Sequence, residues 1–193
     1  RKHFNIAAGS ADAFALTSDD FVALARNYGR MGGMARVAAL VGAVRAERGE
    51  DKVLLLDGGD TWPGSWTSLQ TKAPDMVDVM SALKVDAMVG HWEFTYGADR
   101  VKEIADKAPF AFLAQNVRDN EWQEPVFEGR KIFERGGAKV AVIGQALPRT
   151  AVANPRWMFP KWEFGIREED MQKQVDEARA AGAEIVVLLS HDG

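Results

Sequence analysis

The chain has 193 residues, of which 47% are hydrophobic and 27% charged, with a net charge of −4. That is enough for one domain with a sizeable core, and the acidic balance speaks against a nucleic-acid partner, which favours a basic face. There is no cysteine, so disulfides, a thiol nucleophile and thiolate metal sites are excluded, and no apolar run approaches the roughly 20 residues needed to cross a bilayer.

In chain order, residues 1–30 show no strand pattern and read as a loosely packed lead-in, with His3 a solvated side chain. Residues 34–48 carry apolar side chains at helical spacing and stop at Gly49, a helix terminator. A short apolar run at 53–56 follows, then a helix over 75–83 behind Pro74, which suits a first helical position. Further runs at 87–89, 110–113, 140–143 and 185–189 have the length of buried strands. Helical patterns at 98–107 and 167–181 alternate with them, the second ending at Gly182. Residues 131–134, Gly136-Gly137 and the segment from Lys139 form a local hairpin pattern. Residues 144–162, with three prolines and two tryptophans, are irregular and suit a surface excursion or a partner-facing loop. Strands alternating with helices predict an α/β layered sheet with helices on its faces. No linker divides the chain, so 1–193 is expected to be one domain.

Three strand ends carry polar clusters: Asp57-Gly58-Gly59-Asp60-Thr61, Gly90-His91-Trp92-Glu93-Phe94-Thr95-Tyr96-Gly97, and Ser190-His191-Asp192-Gly193. Taken singly, Asp60 suits a turn or helix cap, and His91 or His191 a hydrogen-bonded histidine. Jointly they predict more, because open α/β sheets place their sites at the carboxyl edge. Asp60, His91 and His191 then face one cleft, and carboxylate with imidazole is a ligand set for a divalent transition metal. Asp57 is expected to orient the Gly58-Gly59 turn, Asp192 to carry no chemistry, and Arg118 and Arg149 to be solvated. Core packing is the simpler reading of Trp62 and Trp66.

These motifs resemble those of calcineurin-like metallophosphoesterases of the 5′-nucleotidase branch. That family carries, in order, Asp-x-His, Gly-Asp, Gly-Asn-His-Glu, a strand ending in Ser-His, and Gly-His-x-His. Gly59-Asp60 matches the second motif, 90–93 the third in altered form, and Ser190-His191 the fourth. Residues 32–36 and Gln115-Asn116-Val117 match further family segments. The likeness covers roughly 28–193. It implies a metallophosphoesterase-type sheet, here incomplete. Asp60 would bridge two metal ions, and His191 would bind one of them.

The altered motif is the most specific. Where the family reads Gly-Asn-His-Glu-Phe-Asp, this chain reads Gly90-His91-Trp92-Glu93-Phe94-Thr95. His91 takes the place of the ligand asparagine, Trp92 that of the catalytic histidine, and Thr95 that of the aspartate orienting it. No catalytic acid remains. The string from Gly90 to Gly97, and Leu54-Leu55-Leu56-Asp57-Gly58-Gly59-Asp60-Thr61-Trp62, are similar to those of the thiosulfohydrolases of the sulfur-oxidation system. The resemblance implies hydrolysis of a cysteine-S-thiosulfonate, releasing sulfate by a metal-activated water. The leaving persulfide is far less basic than an alkoxide and departs without a proton donor. It also implies two divalent metals, of which manganese is favoured, a periplasmic location, and a SoxYZ-type sulfur carrier protein with a C-terminal cysteine arm. No membrane contact is implied. Trp92 and Thr95 would shape the channel for that arm, and Glu93 would hydrogen-bond a ligand histidine or else be a surface carboxylate.

The Asp-x-His and Gly-His-x-His motifs do not occur in 1–193, and the end of the chain directly after the last strand reads as a cut. An internal fragment is therefore expected, inactive alone and holding at most one weakly bound ion. The alternatives are a periplasmic 5′-nucleotidase or cyclic-nucleotide phosphodiesterase, and a non-catalytic binding domain.

Overall fold

A computed structural model describes residues 2–29 and 32–192; Gly193, the last residue of the third polar cluster, lies outside them. The chain divides into two compact units, Arg1–Gly42 and Ala43–Gly193. In the first, helix α1 (Ala11–Leu16) starts at Ser10, whose hydroxyl accepts the Ala13 N–H at 3.1 Å, and helix α2 (Phe21–Tyr28) follows. Their apolar faces meet in a small cluster of Ala13, Phe14 and Leu24. The Phe14 ring stacks on Tyr28, with centroids 5.8 Å apart. Helix α3 (Met34–Arg48) spans the predicted 34–48.

The second unit alternates strands and helices: β1 (Leu56–Asp57), α4 (Trp66–Thr71), α5 (Pro74–Ala82), β2 (Ala87–Met88), α6 (Ala98–Lys107), β3 (Ala111–Phe112) and β4 (Arg118–Asp119). Then come β5 (Arg130–Arg135), β6 (Ala138–Gln145), α7 (Thr150–Ala153), β7 (Trp162–Glu163), α8 (Glu168–Ala180) and β8 (Ile185–Ser190). A 3-10 helix, Trp92–Tyr96, follows β2. The fold class is α/β, as the alternation predicted, and no described helix is long and apolar enough to cross a membrane.

The strands do not form one continuous sheet. β1, β2 and β3 pair in parallel; β6 pairs antiparallel with β5 and parallel with β8; β4 and β7 make a short separate ribbon. The two three-stranded sheets share one core, in which Ala87, Ala111 and Leu113 of the first meet Val142, Phe133, Val187 and Leu189 of the second. They converge at Gly144, where a Cβ would lie 2.3 Å from the Leu113 carbonyl oxygen, so only glycine fits. There the Gln115 N–H donates to the Gly144 carbonyl at 2.9 Å and the Gly144 N–H to that of Gly129 at 3.0 Å. Such lateral bonds hold the layers in register where a side chain would force them apart. The hairpin at Gly136-Gly137 is present, both glycines at positive φ.

Candidate metal centre

All three predicted ligand residues stand just beyond strand ends. β1 and β2 run parallel with Leu56 opposite Ala87 and Asp57 opposite Met88, so the loops carrying Asp60 and His91 leave the sheet side by side. β8 belongs to the other layer. Its register with β6 brings Ser190 opposite Gln145, and the His191 N–H donates to the Gln145 carbonyl at 3.2 Å. One potential ligand atom from each of Asp60, His91 and His191 lies within 4.8 Å of the others. The His91 and His191 rings stack at a centroid distance of 4.1 Å and an interplanar angle of 25°. The His91 Nδ1 is 3.6 Å from the Asp60 carboxylate, too far for a good hydrogen bond.

Glycines make this approach possible. Gly59 has φ +89°, and a Cβ on it would lie 2.8 Å from the Val89 carbonyl oxygen and 3.3 Å from His191 Nδ1. Gly90 abuts the Phe94 and Phe112 rings, where a Cβ would come within 2.7 Å of each. Asp57 orients the turn as expected: its carboxylate accepts the Gly59 N–H at 2.8 Å and the Thr61 hydroxyl at 2.8–2.9 Å. Asp60 itself sits at φ +68°, a left-handed conformation costly for a residue with a Cβ.

The protonation pattern suits cation binding. His191 Nδ1 is 2.5 Å from the Gly58 carbonyl, which can only accept, so that nitrogen is the donor and, in the neutral ring, Nε2 is the atom open to a metal. His91 Nδ1 is buried with no hydrogen-bond partner. Burial, then the neighbouring His191, lowers the His91 pKa against the opposing pull of Asp60 and Glu93, favouring the neutral imidazole a metal requires. An orphaned buried nitrogen facing a carboxylate and a second imidazole fits a divalent cation.

Glu93 is not a surface carboxylate: it is fully buried. Nor does it bond a histidine ring; among its partners is the His91 backbone N–H, at 2.7 Å. Trp92 is 40% exposed, its ring 5.2 Å from that of His91. The Thr95 hydroxyl donates to the Trp92 carbonyl at 2.6 Å, closing the 3-10 turn. Asp192 is exposed and bonds through its backbone to Ser190. Arg118 departs from expectation, being paired with Asp170 at 2.9 Å. Trp62 is core, but Trp66 is 76% exposed, so the packing reading holds for only one of that pair. Asn116 and Gln115 are buried braces, Asn116 bonding Ala146 and Gly165 and Gln115 bonding Gln145.

No protein-family profile matches the chain. The calcineurin-like phosphoesterase YfkN from Bacillus subtilis shares the fold, with a TM-score of 0.73 at 22% identity, over 83% of this chain and 54% of that one. A snake venom 5′-nucleotidase from Gloydius brevicauda is 31% identical over 98% of this chain and 34% of its own length. With the strand-end cluster, these place the chain in the calcineurin-like metallophosphoesterase and 5′-nucleotidase superfamily, whose members are metal-dependent hydrolases. Within that class it is similar to the sulfate thiohydrolase SoxB of Thermus thermophilus, with a TM-score of 0.86 and 38% identity over 100% of this chain and 36% of that one. The chain thus spans about a third of the length of these two closer relatives.

Proposed function

We propose that the chain is the metal-binding part of a periplasmic SoxB-type thiosulfohydrolase, which releases sulfate from a cysteine-S-thiosulfonate on a sulfur carrier protein. The observation that carries this reading is the 3-10 helix after β2. At the positions where phosphatases of the family keep an acid dyad, it presents the half-exposed indole of Trp92 and a Thr95 hydroxyl tied to the backbone. Neither group can protonate an alkoxide, but a persulfide leaving group needs no proton donor.

Residues 1–193 act as part of one catalytic domain. Asp60, His91 and His191 would hold a divalent metal, manganese by the family resemblance, with two ions in the longer protein. Bound there, it would supply activation of a water and polarisation of the sulfonate oxygens. The chain's own groups do the rest. Gly58 holds the His191 tautomer through its carbonyl. The Trp92 indole, lying beside the His91 ring, lines the approach of the carrier's cysteine arm with Thr95. Alone, the 193-residue chain has no turnover.

Assaying the longer protein against AMP and against a thiosulfonated carrier peptide tests the reading. Sulfate release from the peptide with negligible phosphate release from AMP is the expected result. Preferential AMP hydrolysis would make it a 5′-nucleotidase, the activity named for its 31%-identical relative.

A further inference from the structure

Glu93 is a charged side chain with 0% exposure, placed directly between two loops that are far apart in sequence. Its Oε2 accepts the His91 N–H at 2.7 Å and the Asp60 N–H at 3.1 Å. Its Oε1 accepts the Thr61 N–H at 2.8 Å and the Trp62 N–H at 3.2 Å. A carboxylate offers about four lone-pair sites and no donor, so four N–H groups saturate it. Burying that charge without such partners is strongly unfavourable, so the arrangement is a built one.

Of the two residues whose N–H groups meet at Oε2, Asp60 and His91, Asp60 is left-handed at φ +68°. Unusual backbone of this kind persists only where the surroundings over-determine it. Both residues donate their N–H to the same oxygen atom of Glu93.

We infer that Glu93 is a positioning residue that clamps the Asp60 loop to the His91 loop through their backbones, setting the spacing of the metal-binding side chains without touching the metal. The inference rests on the proposed metal centre but is read out separately from it. Glu93 differs from the usual support of a ligand, a hydrogen bond to the ligand's own side chain: here one carboxylate fixes two ligands at once by way of the chain. Loss of the clamp lets Asp60 relax towards right-handed conformations and moves its carboxylate away from His91.

The test uses the 193-residue chain with Glu93→Gln, which keeps the shape but turns an N–H donor towards backbone donors, and Glu93→Asp, which keeps the charge but is one methylene too short to reach both loops. Backbone hydrogen exchange of Asp60, Thr61, Trp62 and His91 is followed without metal, and Mn²⁺ affinity is measured by titration calorimetry. Val142→Ala, a cavity in the fully buried core away from the clamp, is the stability control. In both Glu93 variants the four amides should exchange faster, and Mn²⁺ should bind about 10–100-fold more weakly. Val142→Ala should lower the melting temperature and leave Mn²⁺ affinity as it was. If Glu93→Gln does not fold, Glu93→Asp decides. Affinity equal to wild type while the four amides loosen would make Glu93 a purely structural residue and overturn the inference, as would unchanged exchange. If the wild-type chain takes up no Mn²⁺, the metal-centre reading fails, while amide exchange still decides whether the clamp exists.

Discussion

The imidazoles of His91 and His191 lie ring on ring, 4.1 Å apart, although 100 positions separate them in the chain and their strands belong to different layers. Desolvation, then the neighbouring His191, lowers the His91 pKa and favours its neutral, metal-binding form. Asp60, with a half-exposed carboxylate, supplies the negative charge next to the two rings.

A pH dependence follows from His91. Its folded-state pKa is lowered by burial and by His191, so just below pH 6.5 the unfolded chain binds more protons than the folded one. The stabilising contribution is complete above about pH 6.5, the ordinary histidine value, and is lost as the pH falls from there through the lowered folded value. Thermal melts of the metal-free chain between pH 5 and 8 should show a fall on the acid side that is smaller in His91→Gln. An identical acid limb in that variant would count against the burial of a neutral His91.

Metal binding by the 193-residue chain should be weak and limited to one ion. The chain brings together one carboxylate and two imidazoles, and water would fill the remaining positions. Titration calorimetry with Mn²⁺, together with metal analysis, should give no more than one ion per chain, and Asp60→Ala or His191→Ala should abolish it. Two tightly held ions per chain would refute the ligand assignment.

On the proposed function, Trp92 and Thr95 separate sulfur from phosphorus chemistry. In the longer protein, Trp92→His with Thr95→Asp should raise phosphomonoesterase activity on AMP without improving thiosulfonate hydrolysis. General acid–base assistance is worth about 10²–10⁴-fold where geometry allows, so even partial restoration is measurable in a phosphate-release assay. An unchanged phosphatase background would show that the loss of the dyad is not what separates the activities.

Gly59 tests the close approach of the layers. A Cβ there meets the Val89 carbonyl at 2.8 Å and His191 Nδ1 at 3.3 Å, on a backbone at φ +89°. Gly59→Ala should destabilise the chain by about 1–3 kcal/mol through overpacking and strain. It should also weaken Mn²⁺ binding, because His191 must move. Denaturant unfolding and calorimetry measure the two effects, and a variant with wild-type stability would contradict the packing described.

Helices α3 and α6 are legible in the sequence because their causes are local, whereas α1, α2 and α4 are not. Helices α3 and α6 span the predicted 34–48 and 98–107, since helical periodicity and terminators such as Gly49 act within a few residues. The Gly136-Gly137 hairpin is equally short-range. The strands of the first sheet were legible as apolar runs but not in extent: the run at 53–56 forms ladder pairs only from Leu56, because pairing depends on a partner, here Ala87, 31 positions away. The split into two sheets was not legible, since continuous and split sheets need the same buried apolar strands. The layers meet where Gly144 passes close over Leu113, and no periodicity encodes that approach.

For the site, the sequence by itself points to the proposed ligands: Asp60, His91 and His191 each follow a strand, and strand ends can be read from local pattern. Only the tertiary structure decided their spacing, the tautomer of His191, fixed by a carbonyl 133 residues away, and the place of Glu93. From the sequence, Glu93 could as well have been a solvated side chain. It is buried because the backbone of residues 60–62 folds over it and satisfies its charge, and a carboxylate's environment depends on which distant N–H groups the fold delivers to it.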